Sequence, residues 1–381
     1  MVMTVLSQDD NKLVLDLRQA LGVVPEFYDD DYCLMRWIEG WDNNHDQIIP
    51  RIREAAAIIS TFPSTDHIDF NSIDDVELNL RRFNKTIEYH TGGLIGLDKN
   101  GDLISCVLLG RFHTKSLLKC SRVSEITRNA IWAAILGYTY MKNQEKIQKK
   151  KLGFTVIMDL EGYNRDHLFT PGIKVYTNFL SIVQNLFPET TKRVFVTNAP
   201  TLFQTAFTFV KPVLSQKTKE KIKILGSDYH SDLFEAVGQE NLPTLFGGTK
   251  QYVNGHPEYG HLRMGGIMPE DFKYSHLKNP LHMPDEKLTK LVVPARSQRE
   301  ITVNCTKLHQ HLQWFFLSNG DITFSIKLGN KLIWPEIKTL TEFVPEYETI
   351  ECRDVGEYVM VFDNTFSTFF SKEIRYFAQI N

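Results

Sequence analysis

Hydrophobic residues are spaced at helical intervals in the first part of the chain, and further along they form short strands. Apolar positions recur every three or four residues in NKLVLDLRQAL, DYCLMRWI and IPRIREAAAII, which predicts a helical region over residues 8–60. GGLIGLDKNGDLISCVLLG predicts two strands joined at an Asn-Gly turn, and the strands GFTVIMDL and RVFVTNA are separated by the helical segment GIKVYTNFLSIVQNLF. This alternation is typical of an α/β fold, a largely parallel sheet with helices packed on it.

From about Leu291 the apolar residues alternate with polar ones, which is the spacing of half-buried strands. The segment HLQWFFLSNGDITFSIKL places Leu312, Trp314 and Phe316 on one face, turns at Asn319-Gly320 and returns as a second alternating strand. GEYVMVFDN and SKEIRYFAQI alternate in the same way, so we predict an all-β sandwich. The predicted domains are a helical region at 1–75, an α/β domain at 76–252 and a β-sandwich at 253–381.

Composition and charge exclude several classes of protein. The 381 residues are 42% hydrophobic and 23% charged, as in globular proteins, and the net charge of −3 gives no reason to expect nucleic acid as a partner. The start MVMTVLSQDD lacks the basic region of a signal peptide, and the charge-free run 194–210 is too short and too polar to span a bilayer. Five scattered cysteines without a C-x-x-C pair suit a reducing cytosol, so we expect a cytoplasmic protein.

The sequence contains no convincing catalytic or metal-binding set. Asp159 and Glu161 form a carboxylate pair in MDLEG, but acidic residues at a strand end more often cap the following turn. His309 and His311 in HQH have no acidic or cysteine partner nearby in the sequence, which disfavours a metal site. We therefore predict no enzyme, no catalytic residue, no metal and no cofactor.

The apolar segment APTLFQTAFTFVKPVL, followed by a run of lysines, leaves two interpretations open. On a helix, Phe203, Phe207, Val210 and Leu214 fall within a narrow arc opposite a side of threonine and glutamine. Periodicity alone favours an ordinary amphipathic helix packed on the sheet. The second interpretation is a membrane-docking lid: an apolar helix with an uncharged polar side, followed by the basic segment KPVLSQKTKEKIK, would let Phe203 and Phe207 enter the membrane.

Several motifs together resemble the CRAL-TRIO lipid-transfer family in its form with a C-terminal GOLD domain. VIMDLEG, FPETTKRVFVTNAP, FVKPVLSQKTKEKI and NLPTLFGGT follow one another in the order and at the spacing of that family, and DYCLMRWIEGW is similar to its helical lead-in. LQWFFLSNGDITFSI and GEYVMVFDNTFSTFFSKEIRYFAQI resemble the GOLD domain. The resemblance covers nearly the full chain and implies a lipid cavity above the sheet, closed by a mobile gate helix.

The resemblance also implies which residues line the cavity and which contact membranes. Lys217 and Lys221 fall where a family member has basic residues that touch phosphoinositide, so we expect them to contact anionic membranes. The implied lipid-binding residues lie on the sheet floor, the facing helix, the gate and the NLPTLFGG loop: Val156, Met158, Tyr176, Leu180, Val183, Phe203, Phe207, Val210, Leu214 and Leu245.

Two departures from the family pattern bear on the cargo. Glu39-Gly40-Trp41 stands where the family has Arg-Ala-Arg, and Leu245 stands where many members have a charged residue. In members that transfer phosphatidylinositol, cations in these two regions help to hold the inositol phosphate. Their absence disfavours that headgroup and favours a less polar cargo.

We therefore expect a cytoplasmic lipid-binding and transfer protein that associates transiently with anionic membranes and binds no nucleic acid. A two-chain phospholipid exposes tens of methylenes, each worth about 0.8 kcal/mol on burial, so escape from a bilayer is slow without a carrier. The alternative is a lipid-responsive trafficking or signalling adaptor with a protein partner on its GOLD domain, which the aromatic segment NTFSTFF keeps open.

Overall fold

The structure, a computed structural model, describes residues 6–381 and divides into two compact units. The first unit takes in the described residues up to Ala56, followed by Ser64–Thr114 and Asn129–Ile267. The second comprises Ala57–Pro63, Lys115–Arg128 and Met268–Asn381. The signal-peptide prediction concerns residues that lie in part outside the described range.

Helices fill residues 8–59, as the apolar spacing predicts. Ser7 and Asp10 form a reciprocal capping box at the start of α1, and the Asp30 side chain caps α2 by accepting from the Cys33 N–H at 3.1 Å. The helices of this region, with one further helix that leads to the sheet, are α1 Gln8–Leu21, α2 Asp31–Gly40, α3 His45–Ile59 and α4 Ile73–Phe83.

The predicted α/β sheet is present in the first unit. Its strands, in spatial as well as chain order, are β1 Gly93–Leu97, β2 Leu103–Leu108, β3 Phe154–Asp159, β4 Thr191–Thr197 and β5 Ile222–Ile224. β1 and β2 form an antiparallel hairpin, whereas β2 to β5 are parallel. The hairpin turns at LDKNGD, where Gly101 has a φ of +82°, so this segment is the turn that its sequence predicts.

Helices connect the parallel strands. After the short α5 Thr114–Cys120 come α6 Val123–Gln148, α7 Thr170–Leu186, α8 Thr201–Val210, α9 Gln216–Glu220 and α10 His230–Val237. Within residues 6–381 no helix is both long enough and apolar enough to cross a bilayer.

Side chains of β3 and β4 divide between the two faces of the sheet, because successive residues of a strand point in opposite directions. Ile157 and Phe195 lie on one face in a core with Leu233 and Val237 of α10. On the other face the register pairs Val156 with Val194 and Met158 with Val196, and α8 packs there. The site described below lies on this second face.

The second unit contains the predicted all-β sandwich. Two four-stranded antiparallel sheets enclose a core that includes Trp314, Phe316, Phe324 and Phe362. Their orders are β10-β9-β12-β7 and β11-β8-β13-β6, from β6 Thr289–Val293, β7 Gln298–Cys305, β8 His311–Ser318, β9 Ile322–Leu328, β10 Lys331–Thr339, β11 Glu346–Glu351, β12 Gly356–Asp363 and β13 Lys372–Ile380.

The turn at Asn319-Gly320 crosses from one sheet to the other. β8 pairs with β11 and β13, whereas β9 pairs with β10 and β12. β8 turns Trp314 and Phe316, and β9 turns Phe324, into the shared core, where the ring centroids of Phe316 and Phe324 are 4.8 Å apart. The alternating pattern therefore predicts β8 and β9 correctly, but it does not say which strand pairs with which.

Candidate functional site

The segment that the sequence singles out is the amphipathic helix α8. It begins directly after Pro200 and lies over β3 and β4, with Phe203 only 5% exposed in a cluster with Leu160, Val194 and Val196. The Phe203 ring meets Tyr163 edge-on at 6.0 Å and Phe207 in a stacked arrangement at 5.7 Å. The apolar side of the helix thus faces the sheet.

The sheet floor beneath α8 is incompletely covered. Val156 and Met158 pack against the Phe203 cluster but remain partly accessible, whereas Ile157 between them is 0% exposed on the opposite face. In a parallel sheet, helices normally cover both faces of a central strand. The asymmetry indicates that the helices do not fill the space above Val156 and Met158.

The helix α7 forms a second wall, because it lies against α8 and the segment Lys211–Val213. Tyr176, Leu180 and Val183 recur at helical spacing on α7 and are each half-buried. Burial raises the pKa of Tyr176 to about 12, as expected for a phenol in apolar surroundings. Val210 and Leu214, at and beyond the end of α8, are likewise half-buried.

The structure places Leu245 on the other face of the sheet. Its side chain packs on the core that contains Phe195 and Leu233, and its N–H donates to the Glu258 carbonyl at 3.1 Å. The floor and gate residues therefore come together, whereas Leu245 lies apart from them. A role for Leu245 in lipid binding stays a prediction.

Phe209 is the phenylalanine of α8 that faces outward, with 58% of its surface exposed. The sequence predicts membrane insertion of Phe203 and Phe207, and Phe209 is not among the residues of that prediction. The helical spacing alone indicates that Phe209 does not share the apolar side with Phe203, because an α-helix places the two residues about 120° apart around its axis. In this arrangement Phe209 is available to a membrane and Phe203 is not.

A glutamine that sequence reasoning missed ties the end of α8 to α7. The Gln184 side chain accepts from the Ser215 N–H and donates to the Val213 carbonyl, each at 3.1 Å. Because one amide side chain satisfies both a backbone donor and a backbone acceptor, it holds the segment at 213–215 in place.

The predicted membrane-contact lysines are paired with carboxylates. The Lys217 ammonium lies 2.8 Å from an Asp42 oxygen and donates to the Glu39 carbonyl at 2.6 Å, and the bond to Asp42 raises the pKa of Lys217. The Lys221 ammonium lies 2.6 Å from a Glu189 oxygen. The segment Glu39-Gly40-Trp41, which differs from the family pattern, therefore lies next to the Lys217–Asp42 ion pair and supplies a carbonyl acceptor for Lys217.

Asp159 and Glu161 have structural partners. Asp159 is buried and accepts from the Asn198 amide at 2.8 Å and from the Thr197 hydroxyl at 3.2 Å, and Glu161 lies 3.2 Å from Arg111. Asp159 also accepts from the Glu161 N–H, which makes it the cap of the turn that follows β3. The contacts of Asp159 match the capping role that the sequence favours for this carboxylate, whereas Glu161 forms an ion pair instead.

His309 has an acidic neighbour that the sequence order hides. Its ring contacts Glu351, 42 residues further on, and this hydrogen bond lowers the pKa of Glu351. Across residues 6–381, no group of three or more His, Cys, Asp or Glu side chains is arranged to hold a metal ion.

Part of the chain matches known proteins. Residues 87–248 match the family model described as CRAL/TRIO domain. The chain is 30% identical over 207 residues to Protein real-time of Drosophila melanogaster, covering 53% of this chain and 30% of that protein. The same-named protein of Drosophila pseudoobscura pseudoobscura is 29% identical over 207 residues, covering 53% of this chain and 29% of that protein.

The chain spans less than a third of the length of these curated relatives. Among solved structures, the crystal structure of Sfh5 aligns with a TM-score of 0.38 and 16% identity, covering 61% of this chain and 84% of that one.

Proposed function

The chain contains a CRAL-TRIO domain, a family of typically non-enzymatic lipid binders, and we propose that the protein carries a hydrophobic lipid between membranes. The proposed cargo lies above β3, under α8 and beside α7. The observation that carries this proposal is the incomplete covering of Val156 and Met158 beneath a helix whose apolar side faces them.

The chemistry of the site favours an apolar cargo. The cluster around Phe203 consists of aliphatic and aromatic side chains, and Tyr163 and Tyr176 at its border have raised pKa values because they are desolvated. Acyl chains or another hydrocarbon group would gain about 0.8 kcal/mol for each methylene placed there. The acidic Glu39, at a position where the resembled family has a cation, supports a cargo without a phosphoinositol headgroup.

The cargo would enter when α8 moves away from α7. The bonds of Gln184 to residues 213 and 215 and the pairing of Lys217 with Asp42 hold the segment after α8 in the closed arrangement. An anionic headgroup would compete with Asp42 and Glu189 for the two lysines, and Phe209 would enter the membrane interface. Opening would therefore be favoured at a membrane.

The same motif resemblance leads us to propose that the C-terminal sandwich is a GOLD domain. Two facing four-stranded antiparallel sheets in the described chain support this assignment. We also propose that the protein is cytoplasmic and associates transiently with the membrane surface.

Filling the space above β3 tests the function directly. Met158→Trp should fold with a melting temperature close to that of the wild type and should co-purify with less than a tenth of the lipid, because the indole would occupy the cargo site. Native mass spectrometry followed by organic extraction measures the bound lipid.

Ile157→Trp is the matched control, since Ile157 lies on the same strand but on the packed face. We expect it to lose about 1–3 kcal/mol of stability or more through overpacking. A wild-type protein that co-purifies without lipid, or a Met158→Trp variant that retains lipid at the wild-type level, would contradict the proposed site.

Reversing the charges of Lys217 and Lys221 should slow lipid transfer to anionic membranes. Each lysine near such a surface contributes about 1 kcal/mol, so Lys217→Glu with Lys221→Glu should reduce transfer to phosphatidylserine-containing vesicles by at least about tenfold. Much of the dependence on salt should also disappear. A fluorescent-lipid transfer assay at low and high salt measures both effects.

The control for this pair is Asp42→Asn with Glu189→Gln, which breaks the same ion pairs but keeps both cations. It should transfer at the wild-type rate or faster, because the lysines are released. Equal losses in the two variants would mean that the ion pairs serve only to hold the fold.

A further inference from the structure

The loop between β12 and β13 exposes three phenylalanines. Phe366, Phe369 and Phe370 are 43%, 82% and 73% exposed, within the segment NTFSTFFS at 364–371. Phenylalanine is among the residues that proteins most often bury, and single exposed apolar residues are common, but three in one loop form a patch that marks a contact site.

The loop is held in a defined conformation by its own hydrogen bonds. Asn364 is 0% exposed, and its side-chain amide donates to the carbonyls of Val293, Pro294 and Phe370 at 3.2, 3.1 and 2.9 Å. The Ser367 hydroxyl also donates to the Phe370 carbonyl at 2.9 Å. The phenylalanines are therefore presented by an anchored loop.

Cationic residues border the loop. The backbone N–H of Arg296 donates to the Asn364 and Ser367 carbonyls, which places this residue beside the loop, and Lys372 follows the loop directly. The Lys338 ammonium lies 3.5 Å from the centroid of the Phe366 ring.

The acidic neighbours Asp363 and Glu373 each have a partner. Asp363 accepts from the Thr365 N–H at 2.6 Å, and Glu373 lies 3.5 Å from Lys290. Aromatic rings bordered by cations are the combination that binds the interface of an anionic bilayer.

We propose that the loop 364–371, with Arg296, Lys338 and Lys372, is a second membrane-contact site that inserts Phe369 and Phe370 into an anionic lipid surface. The size of the patch favours a membrane over a folded protein. At 150–250 Å² for each phenylalanine, the three rings offer about 400 Å² of exposed surface, roughly half of what each side of a standard protein interface buries. The proposal does not depend on lipid cargo in the first unit.

Vesicle flotation of the full chain tests this site. Phe369→Ser with Phe370→Ser should bind vesicles of 70% phosphatidylcholine and 30% phosphatidylserine about tenfold more weakly than the wild type, with unchanged co-purified lipid and melting temperature. Leu308→Ser with Val355→Ser is the matched control. It removes two exposed apolar side chains, 56% and 55% accessible, of which Val355 lies at the opposite end of β12. It should bind these vesicles as the wild type does.

A spectroscopic reading locates the contact independently. Phe369→Trp should add fluorescence that brominated phosphatidylcholine in the same vesicles quenches, beyond any quenching seen for the wild type. Wild-type vesicle binding by Phe369→Ser with Phe370→Ser, or no added quenching in Phe369→Trp, would overturn the proposal. Loss of a protein partner with vesicle binding unchanged would assign the loop to that partner instead. Failure of the cargo site would appear separately, as missing lipid in native mass spectrometry.

Discussion

Replacing Phe203 and Phe207 by aspartate should reduce lipid transfer between vesicles to background. Phe203 is buried against Val194 and Val196, and truncation of a buried phenylalanine typically costs about 3–5 kcal/mol. The two carboxylates would also be placed in apolar surroundings, where an unpaired charge is strongly disfavoured. We therefore expect α8 to leave the sheet and the site to lose its cargo.

The matched variant for this experiment is Phe209→Asp on the outer side of the same helix. Because Phe209 is exposed, this change should leave the cargo in place and slow only the exchange at the membrane. Native mass spectrometry measures the retained lipid, and a fluorescent-lipid assay measures transfer. Normal cargo retention by Phe203→Asp with Phe207→Asp would show that these rings do not close the site.

The largest expected loss of stability follows from breaking the buried ion pair of Arg36 and Glu145. Both side chains are 1% exposed. They also bind the backbone of Leu152, because Arg36 donates to the Leu152 carbonyl at 2.7 Å and the Leu152 N–H donates to Glu145 at 2.6 Å. Glu145→Ala would leave the guanidinium buried without its counter-charge. The free energy of unfolding should fall by about 3–5 kcal/mol, as measured by urea denaturation.

Two further variants show whether this loss arises from an unpaired charge. Arg36→Met with Glu145→Leu removes both charges and should cost much less than Glu145→Ala alone. Asp31→Asn lies on the same helix α2 as Arg36 but breaks a solvent-accessible pair with Arg18 of α1, and it should change stability by less than about 1 kcal/mol. A double variant as unstable as the single one would show that shape rather than charge dominates at this position.

The order of apolar and polar residues was sufficient to predict the main elements of both units. Strand spacing identified β3, β8 and β9, and helical spacing identified α7 and α8, because each kind of element repeats its side-chain directions over a short, fixed interval. The sequence also predicts the apolar side of α8 and the alternation of Val156, Ile157 and Met158 between the two faces of the sheet. The capping role favoured for Asp159 is also a local property.

Only the tertiary structure shows which side chains far apart in the sequence form ion pairs and hydrogen bonds. Lys217 meets Asp42 across 175 residues, and His309 meets Glu351 across 42. Packing also turned Phe209 outward, placed Leu245 on the opposite face of the sheet and assigned β8 and β9 to different sheets. Local spacing determines the direction of a side chain within its own helix or strand, but its neighbours depend on which distant elements pack against that face.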